Sequence, residues 1–246
     1  MLDSNRSLVS CGGYGTSELR ILSGFQSSSI ATQIMYVAPK QYFLEGCAIL
    51  PNERLVVLTW RNRRILEFAL PGFELLREVP YQYDGWGLTY DTDRNELVAT
   101  DGSDKMLFID PSTLKIVRTC SARLSHNGAS SVSVRYMNEL EYMDGRIFAN
   151  IYIPAGTKKS TNFIVAINPI TCHVEHVIPF NMHAGVPGNP EHVMNGIAKW
   201  DSTPNQFLVT GKMWNKIFLI ETSSSVPPQS LDNNITTILA RDLEFR

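Results

Sequence analysis

The chain has 246 residues, with 22 lysines and arginines against 24 aspartates and glutamates and a formal net charge of -2. A length of this order suits one β-rich domain with a sizeable core. The charge balance and the lack of any Lys/Arg run argue against nucleic acid as a partner, and no apolar stretch approaches the roughly 18 residues of a membrane span. The polar opening MLDSNRSLVS has no apolar core of a signal peptide.

Strand signals dominate from residue 7 to about 221, as short Val, Ile, Leu, Phe, Tyr and Thr runs between Gly, Pro, Asn and Asp turns. The first 40 residues, SLVSCGGYGTSELRILSGFQSSSIATQIMYV, read as the second to fourth strands of a unit that lacks its first. Four fuller units follow, beginning at FLEGCAIL, GWGLTYD, NELEYMD and MNGIAKW. Each opens with a short strand marked by Glu45-Gly46, Trp86-Gly87, Asn138 or Glu139, or Asn195-Gly196. A turn and a second strand follow, the latter ending in Trp60, Asp101, Tyr152 and Lys212 respectively. Two units share a third turn, Asp110-Pro111-Ser112-Thr113 and Asn168-Pro169-Ile170-Thr171.

Four strands per unit at intervals of roughly 40 to 50 residues predict a β-propeller blade. The expected fold class is therefore all-β, a five-bladed β-propeller with an incomplete first blade. Residues 1–221 form the propeller domain without its first inner strand, and residues 222–246 form a linker and tail that could add a closing strand. Within NELEY, strict alternation puts Glu139 and Glu141 on one side of the strand and Asn138 and Leu140 on the other.

The four cysteines, Cys11, Cys47, Cys120 and Cys172, are widely spaced and include no CxxC pair. Buried free thiols are the expectation, with two disulfides allowed in a secreted protein; only there would the acceptor triplets at Asn5 and Asn234 matter. His173 and His176 are three apart, which on a strand sends them to opposite faces and argues against a paired metal site. His183 and His192 lie in a Pro/Gly-rich loop that could cover a site. No GxSxG elbow is present, and the TGK at 210–212 lacks the glycine loop of a phosphate site.

Innermost propeller strands line a central channel, so the markers should ring one axis. At these residues a resemblance emerges. GGYGTSELR, FLEG, LTW, GWGLT, TDGS, NELEY, MNGIA and VTGKMW, in this order from Gly12 to Glu221, resemble the plant-type (type I) glutaminyl cyclase, or glutamine cyclotransferase, family. The resemblance implies a five-bladed propeller that converts an N-terminal glutamine of a peptide or protein into pyroglutamate and releases ammonia. It implies Glu45 as the proton carrier, Asn138 and Lys212 as donors to the carbonyl oxygen, and Trp60, Trp86, Tyr152 and Asn195 as the substrate-binding wall. It implies no required cofactor and no catalytic metal. A structural calcium on the axis, near Glu139 and Glu141, is one expectation; bonds from these glutamates to backbone or arginine between blades are the other. A monomer is expected, and a secreted or endomembrane setting is what the resemblance suggests.

Two departures stand out. The family carries, before the YG motif, an inner strand of the type Phe-Thr-Gln-Gly-Leu that has no counterpart here, and Tyr152 stands where the family usually has tryptophan. The rival reading is therefore a non-catalytic propeller binding module. A sugar or lactone hydrolase would want a carboxylate cluster around the axis, which these strands do not clearly supply.

Overall fold

The computed structural model describes residues 3, 5–25, 29–125, 131–152, 162–180, 192–200 and 206–221, with the backbone of 241–244. All of its regular elements are strands, arranged as five small sheets around one axis plus a hairpin. The first sheet has three strands, β1 (Arg6–Cys11), β2 (Glu18–Ser23) and β3 (Ala31–Val37). The second has four, β4 (Leu44–Leu50), β5 (Arg54–Thr59), β6 (Arg64–Ala69) and β7 (Glu74–Pro80). The third comprises β8 (Leu88–Asp91), β9 (Glu96–Thr100), β10 (Lys105–Ile109) and β11 (Ile116–Ser121).

A short hairpin, β12 (Arg123–Leu124) with β13 (Val132–Ser133), sits between blades and lengthens the third interval of the repeat. The fourth blade is β14 (Met137–Met143), β15 (Arg146–Ile151), β16 (Asn162–Ile167) and β17 (Val174–Phe180). The fifth is β18 (Met194–Lys199), β19 (Gln206–Gly211), β20 (Lys216–Glu221) and β21 (Arg241–Glu244).

Every pairing between neighbouring strands of these sheets is antiparallel. The inner strands β4, β8, β14 and β18 touch in sequence around the axis. β1 contacts β4 in the way that β15, a second strand, contacts β18, so the first blade begins at the second-strand position. The tail strand β21 pairs with β20 on the outside of the fifth blade and does not take the first blade's inner position.

Middle strands carry the apolar runs because both of their faces are covered. Leu55 to Leu58 and Leu107 to Ile109 are fully buried, whereas the outer strand β7 carries only exposed and half-buried residues. The core is a set of clusters between successive blades. Leu58, Leu97 and Leu107 join the second and third blades, and Phe148, Phe180 and Phe207 the fourth and fifth. Leu22, Phe25 and Ile30 pack with Leu208 and Ile217, which closes the ring between the fifth and first blades. Burying such side chains stabilises by ~1.5–3 kcal/mol each.

The shared third turn folds alike in two blades. Asp110 Oδ1 accepts the amides of Ser112 and Thr113 at 3.0 and 2.7 Å, and Asn168 Oδ1 accepts those of Ile170 and Thr171 at 2.9 and 3.1 Å. Leu114 and Cys172 then take the same left-handed conformation, φ 55° and 57°. These turns are also docking points between blades. Arg77 Nη2 donates to Ser112 O at 2.7 Å, and Arg118 Nη1 donates to Pro169 O at 3.1 Å. Buried Glu67 holds Arg54 and Arg77, and Glu96 holds Arg118.

The cysteine expectation needs correction. Cys120 and Cys172 form a disulfide, with Cα atoms 6.3 Å apart, that ties the third blade's outer strand to the fourth blade's turn. Only Cys11 and Cys47 are free thiols. The sequence pattern could not give the pairing, because the two residues are 52 apart and meet only through the repeat of the turn.

Candidate active site

A β-bulge recurs at the start of the inner strands. Between Leu44 and Cys47, between Met137 and Leu140, and between Met194 and Ile197 the register slips, so two residues oppose one on the second strand. The bulged pairs are Glu45-Gly46, Asn138-Glu139 and Asn195-Gly196. In the third blade Trp86-Gly87 takes the same place, with the Trp86 amide donating to Thr100 O at 3.1 Å and the Thr100 amide to Gly87 O at 3.1 Å. Bulges re-aim side chains, here toward the axis. Glu45, Trp86, Asn138 and Asn195 are therefore equivalent, which resolves the choice between Asn138 and Glu139 as the fourth blade's marker.

Glu139 stands where the other three strands have glycine. A side chain at Gly46 would run into Leu88 N and Trp86 O at 2.4 Å, and one at Gly87 into Asn138 O at 2.4 Å. The fourth blade accommodates a glutamate there. The bulge also breaks the alternation expected of NELEY between Asn138 and Glu139, because the register slips across these two residues.

Second-strand side chains lock the bulges to the next blade. Thr100 Oγ1 accepts the Gly87 amide at 3.1 Å and donates to Met137 O at 2.9 Å. Asn150 Oδ1 accepts the Glu139 amide at 3.0 Å, and its Nδ2 donates to Met194 O at 2.9 Å. Both side chains are fully buried. Each one therefore fixes a bulge in its own blade and the carbonyl just before the marker of the next.

The markers open into one axial cavity of about 1980 Å³. Glu45, Trp60, Trp86, Asn138, Tyr152, Asn195 and Lys212 all line it. Trp60, Tyr152 and Lys212 each follow the last residue of a second strand, as the repeat implied. Asp101 occupies the equivalent place but does not line the cavity; its carboxylate accepts the Ser103 amide at 3.0 Å. Trp86 and Tyr152 meet edge to face at 6.1 Å between centroids, and Phe43 and Trp60 do so at 5.4 Å. Gly102, with φ 81°, leaves room for the Trp86 ring, which a side chain would meet at 2.5 Å. Phe43 was not singled out from sequence as part of the wall, although it immediately precedes the Leu44-Glu45 of FLEG.

Burial raises the Glu45 carboxyl from 4.5 to about 8, and the positive charge of Lys212 works against that rise. The Glu139 carboxyl is raised well above its ordinary value by burial and then by the charges of Glu45 and Glu141. Burial also raises Glu141, opposed by the backbone amide and the charge of Lys199. The Cys47 thiol is pushed up to about 12 by burial and by the Glu139 charge.

Among the described residues no group of three or more His, Cys, Asp or Glu is placed to hold a metal ion. His173 bridges to Arg123 at the outer edge and His176 lies in the outer strand β17, both away from the cavity. His192 contributes its carbonyl to Trp214 Nε1 at 3.1 Å. His183, with the rest of 181–191, lies outside the described residues.

Fold and site together define a five-bladed β-propeller whose axial cup holds a carboxyl, an amide and an amine inside an aromatic wall. The chain belongs to the glutamine cyclotransferase family, whose model matches residues 1–222. It is similar to a crystal structure of Myxococcus xanthus glutaminyl cyclase, with 27% identity, 88% of this chain and 89% of that one covered, and a TM-score of 0.65. A glutaminyl-peptide cyclotransferase of Arabidopsis thaliana is 29% identical over 222 residues, which is 86% of this chain. The match spans 62% of that relative's length. A chain from a nidogen/laminin complex, 10% identical with a TM-score of 0.54 over 87% of this chain and 88% of that one, shares the fold alone.

Proposed function

We propose that the protein is a glutaminyl-peptide cyclotransferase that converts the N-terminal glutamine of a peptide or protein to pyroglutamate and releases ammonia. The observation that carries this reading is a half-buried carboxyl raised to about 8, Glu45, lining the same cavity as Asn138 and Lys212. An α-amine has an ordinary pKa of about 7.7–8.0, so the carboxyl is matched to the group whose proton it must handle.

In this reading the α-amine attacks its own γ-carboxamide carbon and forms the ring C–N bond. Glu45 takes the proton that the amine sheds and delivers it to the amide nitrogen, whose bond to carbon then breaks to release ammonia. Asn138 Nδ2 and the Lys212 ammonium donate to the carbonyl oxygen while it carries negative charge. Trp60, Trp86 and Tyr152 hold the apolar part of the glutamine side chain folded toward the amine, and Asn195 offers a further polar contact at the ring of markers. Holding that geometry is itself catalytic, because ring closure needs the two groups in contact.

The test is incubation with a glutaminyl dipeptide, following ammonia by a coupled assay and the peptide by mass. Ammonia in equal amount to a peptide lighter by one ammonia supports the reading. Tight peptide binding without ammonia would instead make the protein a binding module.

A further inference from the structure

The GGYG segment is prominent in the sequence, and the cyclisation chemistry leaves its tyrosine unused. In the structure it is a tight, heavily bonded turn at the mouth of the cup. The Thr16 amide donates to Gly13 O at 3.0 Å, and the Gly15 amide to Lys40 O at 3.0 Å. Gly15 has φ 79°, a conformation that favours glycine in a turn. Buried Ser17 accepts the Gly13 and Leu44 amides at 2.9 and 3.1 Å and returns a bond to Gly13 O at 2.9 Å. A Cβ at Gly12 would meet Phe43 at 2.1 Å, so the turn sits hard against that ring.

This rigid turn holds out Tyr14, which is 53% exposed. Its ring meets Phe43 edge to face at 5.3 Å and lies 6.5 Å from Trp60. Phe43 and Trp60 line the cavity, so Tyr14 continues their wall outward onto the rim. Met213, which lines the same cavity from the turn after β19, is 73% exposed. A large aromatic side chain on a turn already fixed by its backbone loses little further freedom on meeting a ligand, which favours binding. With glutamine at the bottom of the cup, the first part of the substrate to reach the rim is the residue after it.

We propose that Tyr14, extending the Phe43–Trp60 wall, forms an apolar shelf for the side chain of the residue that follows the N-terminal glutamine. The shelf selects substrates with an aromatic or large aliphatic residue in that position. This rests on the cyclotransferase reading, so its test separates binding from turnover.

The kcat/KM for glutaminyl-phenylalanine amide is compared with that for glutaminyl-glycine amide. The wild-type ratio is expected to be about tenfold or more. Tyr14→Ala should lower the ratio about fivefold, in line with an aromatic contact, and Tyr14→Phe should keep it. A wild-type ratio near one, or a ratio unchanged in folded Tyr14→Ala, overturns the shelf. Calorimetry on Glu45→Gln with the same two peptides provides the second reading, in which the phenylalanine peptide should bind more tightly. Equal affinity, or no binding of either, overturns the shelf. If neither peptide is turned over by the wild type while the affinity difference remains, the cyclotransferase reading fails and the shelf stands.

Discussion

Glu45 and Asn138 occupy the same position of the same β-bulge in two different blades. The repeat therefore brings an acid and an amide, far apart in sequence, to one cup. Trp86 and Asn195 complete the ring from the third and fifth blades. The bulge is the device, because a regular strand would send alternate residues to opposite faces.

The raised Glu45 carboxyl should leave a mark on stability. Folded Glu45 keeps its proton up to about 8, whereas an ordinary carboxyl loses it near 4.5. Between those values the unfolded state binds fewer protons, so stability falls as pH rises. Glu45→Gln lacks this penalty. Its melting temperature relative to wild type should climb from pH 4.5 to 8 and level off above, by about 2–4 °C for each kcal/mol regained. A difference independent of pH in scanning calorimetry would contradict the raised carboxyl.

The Asn150 lock should be costly to remove. Asn150→Leu strands the Glu139 amide and Met194 O, at about 1–3 kcal/mol for each buried group left unpaired. Urea unfolding is expected to show a lower midpoint with an unchanged slope. A loss no larger than that of an exposed substitution would show that the fourth and fifth blades are held by other means.

Cys120→Ser should lower stability by about 2–4 kcal/mol, because the bond closes a loop of 52 residues. Reductant should lower the wild-type melting temperature to near that of the variant. Identical curves with and without reductant would contradict a stabilising bond.

The blade count was legible because turns and strand runs repeat at the chain level, and the ring of candidates followed from the ends of equivalent strands. Asp101 shows where that logic stops: its position is right, but the bond to Ser103 keeps its carboxylate in its own turn. NELEY misled because a bulge leaves no trace in hydrophobic alternation. In the other inner strands a glycine follows the marker, but Asn138 is followed by Glu139, so the repeat alone left the two open and it is the register slip that aligns Asn138 with Glu45. The Cys120–Cys172 bond depends on how outer strands and turns of neighbouring blades meet, which spacing does not encode.

One edge of β1 pairs with no strand among the described residues, since β2 takes the other and β21 lies in the fifth blade. Adding a Phe-Thr-Gln-Gly-Leu type strand upstream of Ser7 is expected to pair with that edge and raise both melting temperature and ammonia release. Equal values with and without the addition would show that this edge limits neither.

The central claim is that Glu45 carries the proton in a glutamine-cyclising cup, and the direct measurement is ammonia release from a glutaminyl dipeptide by wild type and Glu45→Gln. The expected result is stoichiometric ammonia with wild type and a rate lower by about 10² to 10⁴ in the variant, with fold and peptide binding retained. Near-normal turnover by folded Glu45→Gln would contradict the claim and move the role to another carboxyl of the cavity, Glu139 or Glu141.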